Sequence, residues 1–187
     1  MAFVALFDAC VLYPAPLRDL LLRLALTGLF RARWTDDIHD EWTRNVLKAR
    51  PELAQRLAGT RKLMNEAVED ALISGYQPLI NGLTLPDTDD RHVLAAAITG
   101  RADVIVTYNL KDFPASVLGQ FDIEAQHPDV FIRHTLSLDA PMALSAIRAQ
   151  RAALKNPPYS VVDFLDTLQR QQLPETVAFL KDWTDFL

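Results

Sequence analysis

Two short, unbroken apolar runs constrain this chain most: Phe3-Val4-Ala5-Leu6-Phe7 and Val104-Ile105-Val106. A strand with no polar alternation is buried on both faces, and that environment is the middle of a parallel sheet covered by helices. Between and after the two runs the residues read mostly as helices. The order strand, helices, strand, helix, strand therefore predicts an α/β domain with a largely parallel sheet. Ala32-Arg33-Trp34 is a brief strand candidate, and Phe121-Asp122-Ile123-Glu124-Ala125 alternates like an edge strand.

Helix signals fill the gaps. Pro14 and Pro16 open a helix that Gly28 closes, and Thr35 and Asp36 are N-cap candidates for a helix carrying Glu41, Asn45 and Lys48. Pro51 interrupts that helix, and a further one is expected from Pro51 to Ser74. Tyr76-Gln77-Pro78-Leu79-Ile80 reads as a weak extended segment. A helix from the aspartates at 87, 89 and 90 to Thr99 precedes the second apolar run. After Asp129 only helical periodicity is seen, with three helices expected over 139–155, 160–171 and 174–185.

Composition narrows the class. Half of the 187 residues are hydrophobic and 23% are charged, which suits a folded chain with a full core. No run of about 18 apolar residues exists, so no transmembrane helix is expected. Cys10 is the one cysteine, so there is no internal disulfide, and a reducing cytoplasm is the expected compartment. The formal net charge of −5 argues against broad capture of nucleic acid. It leaves room for a nuclease whose bound metal supplies positive charge locally.

Four acids stand beside the main elements. Asp8 ends the first run, Glu41 lies in Asp40-Glu41-Trp42-Thr43, Asp90 opens the helix His92 to Ile98, and Asp112 follows the second run. Reactive groups in open α/β sheets gather at the C-terminal ends of strands, which places Asp8 and Asp112 on one edge. In a simple crossover, the helix N-terminus at Asp90 is expected on the opposite edge. Four carboxylates in one cleft would demand a hard cation, and oxygen ligands select magnesium or manganese over zinc. Capping is the alternative account of Asp87 and Asp89, and a turn the alternative for Asp112.

The order of the four motifs resembles the PIN-domain ribonucleases and, within them, the VapC-like toxins of toxin-antitoxin pairs. The matching stretches are Phe7-Asp8-Ala9-Cys10-Val11-Leu12-Tyr13-Pro14, Glu41-Trp42-Thr43-Arg44-Asn45, Leu85-Pro86-Asp87-Thr88-Asp89-Asp90-Arg91-His92-Val93-Leu94-Ala95-Ala96-Ala97, and Val106-Thr107-Tyr108-Asn109-Leu110-Lys111-Asp112-Phe113-Pro114. The resemblance implies a PIN-like α/β/α parallel-sheet domain over 1–129, followed by an all-helical extension over 130–187. It implies an acidic pocket of Asp8, Glu41, Asp90 and Asp112, in which Asp8, Asp90 and Asp112 hold Mg2+ or Mn2+. It also implies that the helix bearing Asp90 does reach the cleft.

The same resemblance implies cleavage of RNA phosphodiester bonds, a cognate antitoxin protein that wraps the nuclease, and homodimerisation. Thr107 and Asn109 match polar residues beside the pocket. Many relatives carry an acid where Asn109 stands, which leaves fewer negative ligands for a second metal. Glu41 is the candidate for orienting the attacking water.

Other residues carry two readings each. Cys10 reads as packing before nucleophile, and His92 as packing or support for the site. Arg44 and Lys48 share a helix face with Glu41 and read as surface charges or as guides for an RNA phosphate. Tyr13, Trp42 and Tyr108 read as packing or as stacking platforms for bases. Arg148, Arg151 and Lys155 read as a solvated face or as an RNA contact. The competing functions are a non-catalytic binding module and a phosphatase or phosphotransfer domain. The second lacks a nearby acidic partner for Asp8, and no P-loop motif is present.

Overall fold

The computed structural model describes residues 2–187; Met1, first residue of the expected nuclease segment, lies outside the described residues. Four parallel strands form the sheet in the order β2-β1-β3-β4: β1 (Val4–Phe7), β2 (Arg31–Arg33), β3 (Val104–Val106) and β4 (Glu124–Gln126). Leu6 stands opposite Arg33 on one side and Ile105 on the other, and Val106 opposite Gln126. The two apolar runs are thus the central pair, and β3 is buried at all three positions. A parallel bridge from Trp34 to Leu72 extends the sheet past β2.

Between β1 and β2 lie α1 (Ala9–Leu12) and α2 (Ala15–Ala25). After β2 come α3 (Asp36–Ala49), a 3-10 turn at Pro51–Leu53, α4 (Ala54–Ala67), α5 (Gln77–Ile80) and α6 (Arg91–Thr99). A 3-10 turn at Leu110–Asp112 and α7 (Ala115–Leu118) link β3 to β4. Then follow α8 (Pro128–Leu138), α9 (Ala140–Ala153), α10 (Val161–Arg170) and α11 (Pro174–Leu180). No helix among the described residues is long and apolar enough to cross a membrane.

Three expectations change. The segment at 77–80 is a helical turn rather than an extended strand, because proline at its first turn lacks only an N–H that a helix start leaves unused. The helix after Pro51 ends at Ala67, and Ala71 to Ile73 pairs with Trp34 through two main-chain hydrogen bonds of 2.9 and 2.8 Å. The C-terminal segment has four helices, since α8 precedes the three expected.

Packing ties this last segment to the sheet. Phe131 of α8 lies edge-on to Phe7 and Phe30, with ring centroids 6.0 and 4.9 Å apart, and meets Phe3 at 6.1 Å. Buried Asp129 accepts the Glu175 and Thr176 N–H groups, both at 2.8 Å, and so caps α11. Gln150 of α9 donates to the Pro16 carbonyl at 2.8 Å. Arg151, expected to be solvated, instead donates to the carbonyls of Leu187 and Tyr159 at 2.7 and 2.8 Å.

Candidate active site

Asp8 leaves β1 with extended backbone and becomes the N-cap of α1, so its side chain is fixed on the C-terminal edge of the sheet. Its carboxylate is almost fully buried. One oxygen accepts the Ala9 N–H at 2.7 Å; the other accepts the Thr107 hydroxyl at 2.7 Å and the Cys10 thiol at 3.1 Å. Burial pushes the Asp8 acid up, the hydrogen bonds from Thr107 and Cys10 oppose this, and the charge of Glu41 adds to the rise. Oδ2 is thus saturated by two donors, and Oδ1, with one, keeps a lone pair.

Thr107 comes from the end of β3, next to β1 in the sheet. Its hydroxyl also accepts the Asn109 main-chain N–H at 3.0 Å. The contact found at Asn109 is therefore made by its backbone. Asp112 sits half-buried in the 3-10 turn that follows.

Asp90 occupies the N-cap position of α6 with no side-chain capping bond, which leaves its carboxylate for the cleft. The expectation that its helix starts on the far edge is wrong. A helix that feeds a parallel strand runs against that strand, so its N-terminus starts where the strands end. Asp87 accepts the Asp89 N–H at 2.9 Å within the preceding turn and does not cap α6. The Asp90 acid is pushed up to about 7, first by burial and then by the charges of Asp8, Asp87, Asp112 and Glu41. Asp8, Glu41 and Asp112 thus all act on Asp90, and Glu41 acts on Asp8 as well.

Glu41 lies on the second turn of α3 and meets His92 Nε2 at 3.5 Å. Burial disfavours the imidazolium of His92, but the contact with Glu41 and the charges of Glu41, Asp37 and Asp8 outweigh it, so the net shift is upward. The two residues are far apart in sequence, and no spacing signal announced the pair. Cys10 donates to Asp8 and accepts the Tyr108 N–H at 3.3 Å, and burial pushes its thiol up, away from the thiolate. A nucleophilic role is thereby disfavoured.

The aromatic candidates separate. Trp42 is fully buried, and its indole N–H donates to His39 Nδ1 at 3.0 Å, so it offers no face to a base. Tyr108 is half-buried, and its hydroxyl donates to the Gln171 carbonyl at 2.7 Å, which joins the site to the C-terminal helices. Tyr13 is 44% exposed and keeps a free face.

Every candidate ligand is a carboxylate, a donor set that fits a hard divalent cation rather than zinc. Among the described residues, no three His, Cys, Asp or Glu side chains are drawn together as a closed metal cluster.

A PIN-domain family model matches residues 4–111, and a model described as the VapC50 C-terminal domain matches residues 128–182. The chain is 40% identical over 108 residues to a Mycobacterium tuberculosis protein named "Putative ribonuclease VapC50". That stretch covers 58% of this chain and 63% of the relative, a little under two thirds of its length. No solved structure matches.

Proposed function

This chain belongs to the PIN-domain family, and on that footing we propose that it is a metal-dependent endoribonuclease and the toxin of a toxin-antitoxin pair. The observation that carries the reading is the convergence of Asp8, Glu41 and Asp112 on Asp90, whose acid burial and then these charges push up to about 7. The similarity to a protein named as a ribonuclease supports the choice of RNA.

In this reading the body up to about residue 129 carries the chemistry, and the helices beyond brace it. Asp8, Asp90 and Asp112 hold Mg2+ or Mn2+. The cation supplies positive charge to the scissile phosphate and acidity to a water. Thr107 fixes Asp8 through Oδ2, which leaves Oδ1 with a lone pair for the cation, and the Asn109 N–H fixes Thr107 in turn. Glu41, held by His92, orients the attacking water and takes its proton. Attack at phosphorus then breaks the bond to the leaving oxygen, which acquires a proton. A cognate antitoxin, with a basic side chain against these acids, and a homodimer in the cytoplasm complete the proposal.

The test is cleavage of labelled RNA by the full chain with magnesium, with manganese and with chelator. Metal-dependent cleavage that is lost in Asp8→Asn and in Asp90→Asn is expected. Cleavage that persists in both variants would place the chemistry elsewhere. Inactivity of the wild type with every metal, alongside tight binding of a protein partner, would favour a binding module.

A further inference from the structure

Residues 44–62 hold six of the chain's 19 basic residues, Arg44, Lys48, Arg50, Arg56, Arg61 and Lys62, against the single acid Glu52. That local charge of +5 stands within a chain of formal net charge −5. It belongs to the end of α3, the 3-10 turn and the start of α4. Arg61 bonds Asp36 and Asp40, Lys62 pairs with Glu66, and Arg50 with Glu52. Among the described residues, Arg44, Lys48 and Arg56 meet no carboxylate within ion-pair distance, and all three are exposed.

The same hairpin closes a groove of about 420 Å³ against α1 and α2, lined by Tyr13, Arg18, Val46, Arg50, Arg56 and Leu57 among others. Three of its lining residues are arginines and none is acidic. Arg18 is locked in place: its guanidinium lies 4.5 Å over the Trp42 ring and donates to the Leu12 and Tyr13 carbonyls at 2.5 and 3.3 Å. Both contacts use one nitrogen, so further N–H donors remain.

The position of the groove gives this charge its meaning. Helices α1 and α3 pack together, and each has an acid of the cleft near its start, Asp8 as N-cap and Glu41 on the second turn. Each ends at the groove, with Tyr13 and with Val46 and Arg50. At about 1.5 Å per residue, Glu41 to Arg50 spans roughly 13 Å along the helix. Two adjacent helices therefore run from the acidic cleft to a basic groove.

We propose that this groove is the track for the RNA strand beside the scissile bond, with Arg18, Arg50 and Arg56 on its phosphates and Tyr13 stacked on a base. The inference rests on the ribonuclease reading of the cleft. Its selectivity for a polyanion follows from charge: a protein that is acidic overall, with an acidic cleft, needs a local cationic surface to hold RNA.

The experiment is equilibrium binding of a labelled single-stranded RNA to the full-length Asp8→Asn protein over a range of salt. Adding Arg50→Glu and Arg56→Glu is expected to weaken binding tenfold or more and to flatten the plot of log K against log salt by about 1.4, or about 0.7 per lost phosphate contact. Lys181→Glu, the same charge change on an exposed residue elsewhere, is expected to keep the slope. Arg56→Gln, at an exposed position, serves if the double variant melts, with an expected loss of about 0.7 in slope. Unchanged affinity and slope would overturn the track even if the wild type cleaves RNA. Loss of a protein partner with RNA binding intact would also overturn it. Groove-dependent binding by a wild type that never cleaves would sink the nuclease reading and, with it, the placing of the groove beside a scissile bond, leaving RNA binding alone.

Discussion

The Thr107 hydroxyl donates to the Asp8 carboxylate at 2.7 Å, a contact between residues 99 apart in sequence that the pairing of β1 with β3 makes unavoidable. A buried carboxylate depends on such donors, and a hydrogen bond to a charged group contributes about 1.5–3 kcal/mol. Thr107→Val is therefore expected to lower RNA cleavage by about tenfold or more, with Thr107→Ser recovering most of it. Equal rates for the valine and serine variants would remove the hydroxyl from the account.

The stability of the metal-free protein is expected to fall as pH rises from about 4 to 7. The Asp90 acid is pushed up to about 7, against an ordinary value near 4, and Asp8 is shifted in the same direction. Between those values the folded chain holds a proton that the unfolded chain has released, so stability declines with rising pH. Melting in chelator should show the decline, Asp90→Asn should flatten it, and Mg2+ should raise Tm more at pH 8 than at pH 5. A variant curve parallel to the wild type would contradict the assignment.

His92 should titrate above the ordinary histidine value in the chelated protein, because Glu41 and the neighbouring carboxylates outweigh its burial. NMR titration reads this directly. Glu41→Gln is expected to bring the value down, and no response there would mean that the 3.5 Å contact does not persist in solution.

Asp129→Ala is expected to cost about 2 kcal/mol, since two buried N–H groups at the start of α11 lose their acceptor. For a chain of this size that is roughly 4–8 °C in Tm. Asp129→Asn, which keeps one acceptor oxygen, should fall between. A melting curve unchanged by the alanine variant would remove the cap from the account.

Much of this was legible because the strongest signals were chemical and local. An unbroken apolar strand followed by an acid places that acid on the C-terminal edge, so Phe3 to Asp8 and Val104 to Thr107 could be read directly. The direction of α6 was also available, since a helix must run against the parallel strand it feeds, and Asp90 should have been placed on that edge at once. Trp42 lies four residues after buried Ile38 on α3, and that periodicity marks a core face rather than a stacking platform.

Other features had no local trace. The contact of His92 with Glu41 joins two helices through the tertiary fold. Helix α8 opens at Pro128, ahead of the first C-terminal helix expected at 139, with the proline in its first turn. Arg151 looked solvated on helical periodicity alone, yet its partners lie 36 and 8 residues away.

The place of Phe131 has a consequence for how this protein can vary. Its ring fills space that Phe3, Phe7 and Phe30 leave open beneath the strand bearing Asp8. A chain shortened at the start of α8 would carry a void directly under the strand that leads into Asp8. Phe131 thus belongs to the same core as the strand it underlies, and truncating its ring would destabilise that strand by the cost of the cavity.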